Sequence, residues 1–558
     1  MTSESKALSG CQRRDQGVGG VDGFRGWARR YTALWRRVTR FVVVDELAGA
    51  RGAAAPGGAT APVLPAVWQA FVAAIAERPW AGFAMFALVH GAIWTLLPFA
   101  LYRNLPLDLI EALTYGREWQ IGYDKLPPLP WWLVEGAHRI FDSDLAYYAL
   151  GQIGVLSAFA AVWALTRRVA SPAAALASVL IIDGLHYFNF TSPKFNHDVA
   201  QLPFWALAGL SFHGALRTGR LGYWAALGVA LGLAFWTKYF VVVLGLPLAL
   251  FLVADPRARR SLATPGPWVA AAVSLVIAAP HLLWLWQNDW VPLDYLASRA
   301  RASGHRFSHF MHPAMFALTQ LFWLVPAFLI ALPLWRHGRQ PARSDDDAFD
   351  RRIITLLAFG PAIAVVAGSA LSGRQLIAMW GYPLWLFLGC WIVVSVPART
   401  VRASSVPLAA GWAAVMACYV VSFAFQYTVL ARFDHRHRAV LFPGEPLAQE
   451  ITARYHAQTG APLRYVVGSM WLGGNIGHYS DDHPRTVIDG DPRRVPWIDL
   501  DDLAVSGGIA VWIDGDSPGV PSAYAGVSRD AAVQPPVTLR SHRGNGEVTI
   551  RWAIIPPI

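Results

Sequence analysis

Long apolar runs joined by short charged connectors set the pattern of this chain. A helical membrane span needs roughly 20 apolar residues. Runs of that kind lie near 82–101, 146–165, 171–189, 199–216, 221–237, 239–254, 267–286, 314–335, 353–371, 377–396 and 406–427, which predicts eleven spans. The fifth and sixth come from one run, 221–254, interrupted only by Thr237-Lys238. Beyond residue 430 the pattern changes to short β-type runs at 464–467, 486–488, 509–513 and 548–554, with a helix-like stretch at 446–458. That alternation predicts a small soluble α/β domain. The expected class is a mainly α-helical polytopic membrane protein. Its parts are a basic, flexible, cytoplasmic tail over 1–80, a membrane domain over 81–429 and an extracytoplasmic α/β domain over 430–558. Within the tail, 67–76 reads as an amphipathic surface helix.

Composition fits this picture. Apolar residues make up 55% of the chain and charged residues 15%, against about 25% charged in soluble proteins. The 26 Trp and 17 Tyr suit a large membrane interface. A net charge of +11 would suggest nucleic acid in a soluble protein. Here the cations cluster in the tail and in short loops, the outer ones included, which instead fits membrane orientation and anionic lipid, with no nucleic-acid partner. Arg167, Arg168, Arg217, Arg220, Arg257, Arg259, Arg260, Arg399 and Arg402 mark the inner loops of a cell (inner) membrane protein. An odd span number then places the C-terminal domain outside. Cys11, Cys390 and Cys418 are too scattered for a disulfide framework or zinc site.

The first outer loop, PLDLIEALTYGREWQIGYDKLPPLPWW over 106–132, concentrates charge between two apolar runs. Asp108 and Glu111 are three apart and share a face if this piece is helical. One carboxylate beside a substrate hydroxyl can act as general base. Two together can hold a divalent cation of unassigned identity. An ordinary solvated loop would also carry such acids, but the prolines and aromatics that follow argue for a fixed backbone at the interface.

That order of motifs, an acidic first loop and then G-Y-x-K-x-P-P-L-x-x-W, resembles the GT-C glycosyltransferases of the protein O-mannosyltransferase and aminoarabinose transferase type, family 39 and its bacterial relatives. The resemblance covers roughly 82–430. It implies a polyprenyl-phosphate sugar donor, an outer-face active site and inversion at the anomeric carbon. Relatives often carry adjacent Asp-Glu, whereas this chain reads Asp108-Leu-Ile-Glu111. Asp108 is the best match to the catalytic acid, with Glu111 second. Relatives place His or Lys directly before the Pro pair. Here Leu126 stands there, displacing Lys125 and Asp124 by one.

The second outer loop, FTSPKFNHDVAQLPFW, offers Asp198 as a second carboxylate for metal or substrate orientation. Its Asn196 and Asp198 equally suit helix capping. Lys238 matches a T-K-Y motif that in relatives implies contact with the lipid phosphate; the alternative is snorkelling to water. Lys125, Arg306 and Arg374 are further candidates for the donor phosphate, and Asp124 and His305 for metal or substrate orientation. The D-G-D motifs Asp489-Gly-Asp491 and Asp514-Gly-Asp516 follow β-runs and read as turns. Gly473-Gly474-Asn475 lacks the spacing of a nucleotide loop, and no nucleotide cofactor is expected.

The leading expectation is an inverting glycosyltransferase acting on an envelope lipid, glycan or protein hydroxyl. Two alternatives stay open: a transporter or flippase of lipid-linked saccharide, and a GT-C ligase or polymerase using a lipid diphosphate donor.

Overall fold

The computed structural model describes residues 79–300, 307–335, 340–433, 438–543 and 546–557. Nearly all of the expected tail, the helix at 67–76, Cys11, His305 and Arg306 lie outside the described residues.

The apolar runs become helices. We label α1 (Pro79–Leu101), α2 (Leu107–Gly116), α3 (Leu129–Phe141), α4 (Asp144–Val169), α5 (Pro172–Asp183), α6 (His197–Ala200), α7 (Leu202–Thr218), α8 (Leu221–Thr237), α9 (Val242–Ala254), α10 (Gly266–Gln287), α11 (Ser308–Trp335), α12 (Asp345–Ser372), α13 (Leu388–Val394) and α14 (Ser405–Thr428). Among the described residues six helices are long and apolar enough to cross a membrane, or seven if one bent pair is a single span. They lie at expected spans; the other five expected spans are shorter or interrupted. Helix α5, for example, ends at Asp183, and 377–396 divides into a 3₁₀ turn, Ala378–Gly381, and the seven residues of α13. With its many apolar helices the chain is an integral membrane protein.

Local signals explain the boundaries. Ser143 and Ser171 cap α4 and α5 by accepting the N–H of Leu145 and Ala174. The 221–254 run breaks where Lys238 is extended, at φ −163° and ψ 133°. Two opposite ends of the bundle collect charge. At one, Arg217 and Arg257 share Asp346 at 2.8 and 2.6 Å, and Arg352 meets Asp255 at 2.8 Å. The loops expected outside, which hold Asp108, Asp198, Lys238 and Arg374, gather at the other.

The C-terminal part contains α15 (Gly444–Thr459), α16 (Met470–Tyr479) and strands β1 (Tyr465–Gly468), β2 (Arg485–Ile488), β3 (Gly508–Ile513), β4 (Ala532–Val533), β5 (Val537–Arg540) and β6 (Glu547–Ile555). The sheet order is β2-β1-β3-β6-β4, with β5 also on β6. Strand β1 runs parallel to β2 and β3, with Val466 opposite both Thr486 and Ile509. Strand β6 is antiparallel to β3. All of β1 and most of β3 are buried, which is why they read as unbroken apolar runs. The four β-type runs and the helix-like stretch fall on β1, β2, β3, β6 and α15. The short exposed β4 gives no such signal.

Helix α16 joins this sheet to the first loop. Its Gly473 backs onto Thr486 of β2. Its Gly474 lies against α2, where a Cβ would sit 2.5 Å from Thr114 Oγ1 and 2.7 Å from Ile110 Cγ2. The glycine pair is therefore a helix-crossing device.

Candidate functional site

Helix α2 starts after Pro106, whose φ of −54° suits entry into a helix, and Asp108 in its first turn complements the positive helix end. One turn on, Glu111 is buried while Asp108 is half-buried. The two acids sit on one helix, as their spacing implies, but in different surroundings.

Asp108 Oδ2 accepts a hydrogen bond from Asn196 Nδ2 at 2.9 Å. Asn196 simultaneously caps α6, its Oδ1 accepting from the Asp198 and Val199 N–H groups at 2.9 and 3.2 Å. One side chain thus locks the first outer loop to the second, so the capping and functional readings of this motif coexist. His197 fixes the same junction through Nε2 to the Pro127 carbonyl at 3.0 Å and edge-on packing against Trp131. Burial pushes the His197 pKa down to about 3.

Two lysines approach these acids. Lys125 Nζ donates to Glu111 Oε2 at 2.5 Å and lies 5.0 Å from the Tyr295 ring centre. Burial raises the Glu111 pKa, with Lys125 opposing. Burial acts to lower the Lys125 pKa, but Glu111 and Tyr295 together outweigh it and the pKa is raised. Lys238 Nζ donates to Asp198 Oδ1 at 2.6 Å, and Gln201 Nε2 reaches the same oxygen at 3.1 Å. Burial also raises the Asp198 pKa, against the pull of Lys238; Asp108 nearby raises it further. Lys238 therefore points into the site. The stretch that interrupts the apolar run is the one that supplies a cation.

Asp124 turns elsewhere. Its Oδ1 accepts from Tyr115 OH at 2.9 Å and its Oδ2 from Arg494 Nε at 2.7 Å. Arg494 also binds Asp489, and its Nη2 reaches Tyr115 OH at 3.3 Å. Asp489 has a positive φ of 54° and is followed by Gly490 at 65°, the turn expected of that D-G-D motif. Nearby, Arg485 grips both oxygens of Glu118 at 3.2 and 2.6 Å. Arg117 donates to the carbonyls of His483 and Pro484 at 2.9 and 3.2 Å. The C-terminal part thus holds the first loop through a row of charged contacts.

Arg374 donates through Nη1 to the Ala300 carbonyl at 3.0 Å, bracing the 292–300 segment, which starts with the short helix Pro292–Arg299. Sequence reasoning passed over Tyr382, which stands eight positions after Arg374 in the segment 380–385. It is fully buried, packs against Tyr187 at 4.7 Å, and lies within electrostatic reach of Asp198 and Asp108. Arg494 was equally invisible, because its first-loop partners Asp124 and Tyr115 lie 370 and 379 residues away.

The acids fit a divalent ion poorly. Glu111 and Asp198 each give an oxygen to an ammonium, and among the described residues no group of three or more His, Cys, Asp or Glu could hold a metal. The arrangement instead offers one half-buried carboxylate, Asp108, beside two ammonium groups. Each ammonium has further protons to donate.

Residues 125–284 match the family described as Dolichyl-phosphate-mannose-protein mannosyltransferase. The chain is 30% identical over 210 residues to the lipid A galacturonosyltransferase RgtD of Rhizobium johnstonii, covering 35% of this chain and 43% of that protein. It is 24% identical over 221 residues to the lipopolysaccharide core galacturonosyltransferase RgtB of the same organism, covering 38% and 44%. The matches thus span less than half the length of either curated relative. The fold is similar to that of ArnT from Cupriavidus metallidurans bound to undecaprenyl phosphate, with a TM-score of 0.54 and 16% identity over 84% of this chain and 97% of that one. The apo ArnT structure gives 0.54 and 18% over 85% and 98%. In its first-loop motifs, its family-matching region and its fold, the chain is thus similar to GT-C glycosyltransferases.

Proposed function

We propose that the protein is an inverting glycosyltransferase that moves a sugar from a polyprenyl monophosphate to an acceptor hydroxyl at the outer membrane face. The observation that carries this reading is the Asn196 bridge, which sets Asp108 beside Asp198 with Lys125 and Lys238 close by. In the proposed step the acceptor oxygen bonds to the anomeric carbon while that carbon's bond to the phosphate oxygen breaks. Asp108 takes the hydroxyl proton. Among the described residues its second oxygen carries no bond comparable to the one from Asn196. The departing polyprenyl phosphate gains charge, which Lys125 and Lys238 meet with their remaining N–H groups. Glu111 holds Lys125 in place and protonated, a role better matched to its buried ion pair than proton removal. Asp198 does the same for Lys238. No step is routed through a metal.

The relatives support the class of reaction. RgtD and RgtB are by name galacturonosyltransferases of lipid A and lipopolysaccharide core, and ArnT binds undecaprenyl phosphate. An envelope lipid or glycan acceptor follows as part of the proposal, as do an inner-membrane location with the N-terminus cytoplasmic and an outer cover formed by 430–558. Arg374 acts in this reading by bracing the 292–300 segment.

The Asp108→Asn substitution tests the assignment. It keeps the size of the side chain and removes the base, so transfer from a polyprenyl-phosphate sugar in proteoliposomes should fall by roughly 10²–10⁴ while insertion is unchanged. Near-normal turnover would refute it. Offering monophosphate and diphosphate donors side by side separates this reading from a ligase or polymerase, which would turn over only the diphosphate.

A further inference from the structure

A second cationic feature lies where α1, α14 and the C-terminal part meet. Arg103 follows α1, and its backbone N–H donates to the Val440 carbonyl at 3.0 Å. Arg432 lies in the 3₁₀ turn Leu430–Phe433, just beyond α14. Arg543 reaches in from the loop after β5, its Nη1 donating to the Tyr427 carbonyl at 2.6 Å. That loop is pinned by the His542 N–H and Ser541 Oγ, both on the Leu441 carbonyl, at 3.1 and 2.9 Å. The Arg543 side chain is therefore fixed at this junction, and the elements beside it, from distant parts of the chain, carry Arg103 and Arg432.

Among the described residues no carboxylate pairs with Arg103, Arg432 or Arg543, and the first two are exposed. Arg543 senses the other two: burial lowers its pKa, and the charges of Arg103 and Arg432 lower it further. Gathering like charges is unfavourable unless an anion joins them. The surroundings say where that anion sits. Leu430 and Phe433, 45% and 75% exposed, flank Arg432 at the end of a candidate span. Cations with apolar neighbours at a span end lie at headgroup depth. A guanidinium cluster also suits phosphate oxygens, which it can bind two at a time.

We propose that Arg103, Arg432 and Arg543 form a site for the phosphate headgroup of an anionic lipid in the surrounding leaflet. The site is separate from the Asp108 centre and does not depend on the proposed transfer reaction.

Native mass spectrometry of the full-length protein in detergent, supplied with phosphatidic acid or phosphatidylcholine, tests it. Wild type should retain phosphatidic acid preferentially. Each surface cation contributes about fivefold to such binding, so R103Q/R432Q should lower retention by roughly 25-fold. R103K/R432K, which keeps charge but loses the two-pronged contact, should fall between them. Equal retention of the two lipids by wild type would overturn the proposal, as would undiminished retention in a variant with the wild-type melting temperature. If the double variant melts early, R103Q and R432Q are read singly, and each must lower retention. Displacement of the lipid by excess inorganic phosphate would also overturn it, since the site would then be one for a soluble anion.

Discussion

Removing Arg494 tests whether the C-terminal part is a component of the site or only its neighbour. The guanidinium serves Asp124 at 2.7 Å, Asp489, and Tyr115 at 3.3 Å. In Arg494→Ala, Asp124 and Asp489 remain close without their shared counter-charge. Breaking a buried ion pair from one side costs about 3–5 kcal/mol. Arg494 is 29% exposed, Asp124 12% and Asp489 22%, so water relieves part of this. A loss of about 2–3 kcal/mol is expected. Function should suffer separately. Asp124 adjoins Lys125 in the chain, and a shift of about 1 Å at a reacting group can cost roughly 100-fold in rate. Melting of the detergent-solubilised protein and turnover in proteoliposomes give the two readouts. D489N in the R494A background removes one surplus charge and should restore part of the stability. R494K should recover some stability but little turnover, because an ammonium cannot span three partners. Wild-type melting and turnover in R494A would refute the reasoning, and so would a double variant no more stable than R494A.

Three further outcomes follow from the site. Lys238→Met should reduce transfer by roughly 10²–10³ and destabilise the protein by leaving Asp198 buried without its cation; K238M/D198N should regain melting temperature but not activity. Gly474→Val should cost about 1–3 kcal/mol and lower turnover, because the new side chain would meet Thr114 and Ile110 and push α2; unchanged melting would contradict the close crossing. Burial, aided by neighbouring His138, holds the His478 pKa at about 3, below its ordinary 6.5. For a base with a depressed folded pKa, stability is complete above the unfolded value and is lost as the pH falls below it, because only the unfolded state takes the proton. From pH 7.5 to 5.5 this histidine alone should therefore cost about 1.4 kcal/mol, and His478→Gln should flatten the melting profile over that window.

The sequence disclosed what depends on local pattern. Apolar length located the helices, and Lys238 located the break between α8 and α9. The Asp108-to-Glu111 spacing put two acids on one helix. Pattern cannot distinguish those acids, because their difference lies in partners: Asn196 for one, Lys125 for the other. The eleven-span expectation shows the same limit. An apolar run such as 377–396 registers burial, whether or not the backbone stays helical throughout. Arg494 and Arg485 belong to a polar segment with ordinary surface composition. Only three-dimensional pairing with Asp124 and Glu118 sets them apart. Glycine spacing in 473–474 reads unlike a nucleotide loop, but the helix crossing it permits depends on α2, far away in the chain.

The α2–α16 crossing also has a consequence in time. The acids of the first loop are synthesised early, whereas Arg485 and Arg494 emerge 367 and 370 residues after their partners Glu118 and Asp124. Through most of translation the loop has neither its counter-charges nor the glycine face against which α2 packs. The membrane helices can insert without them. The loop reaches its final geometry only after the last strands have been made and folded, so assembly itself delays that arrangement until the C-terminal part has formed.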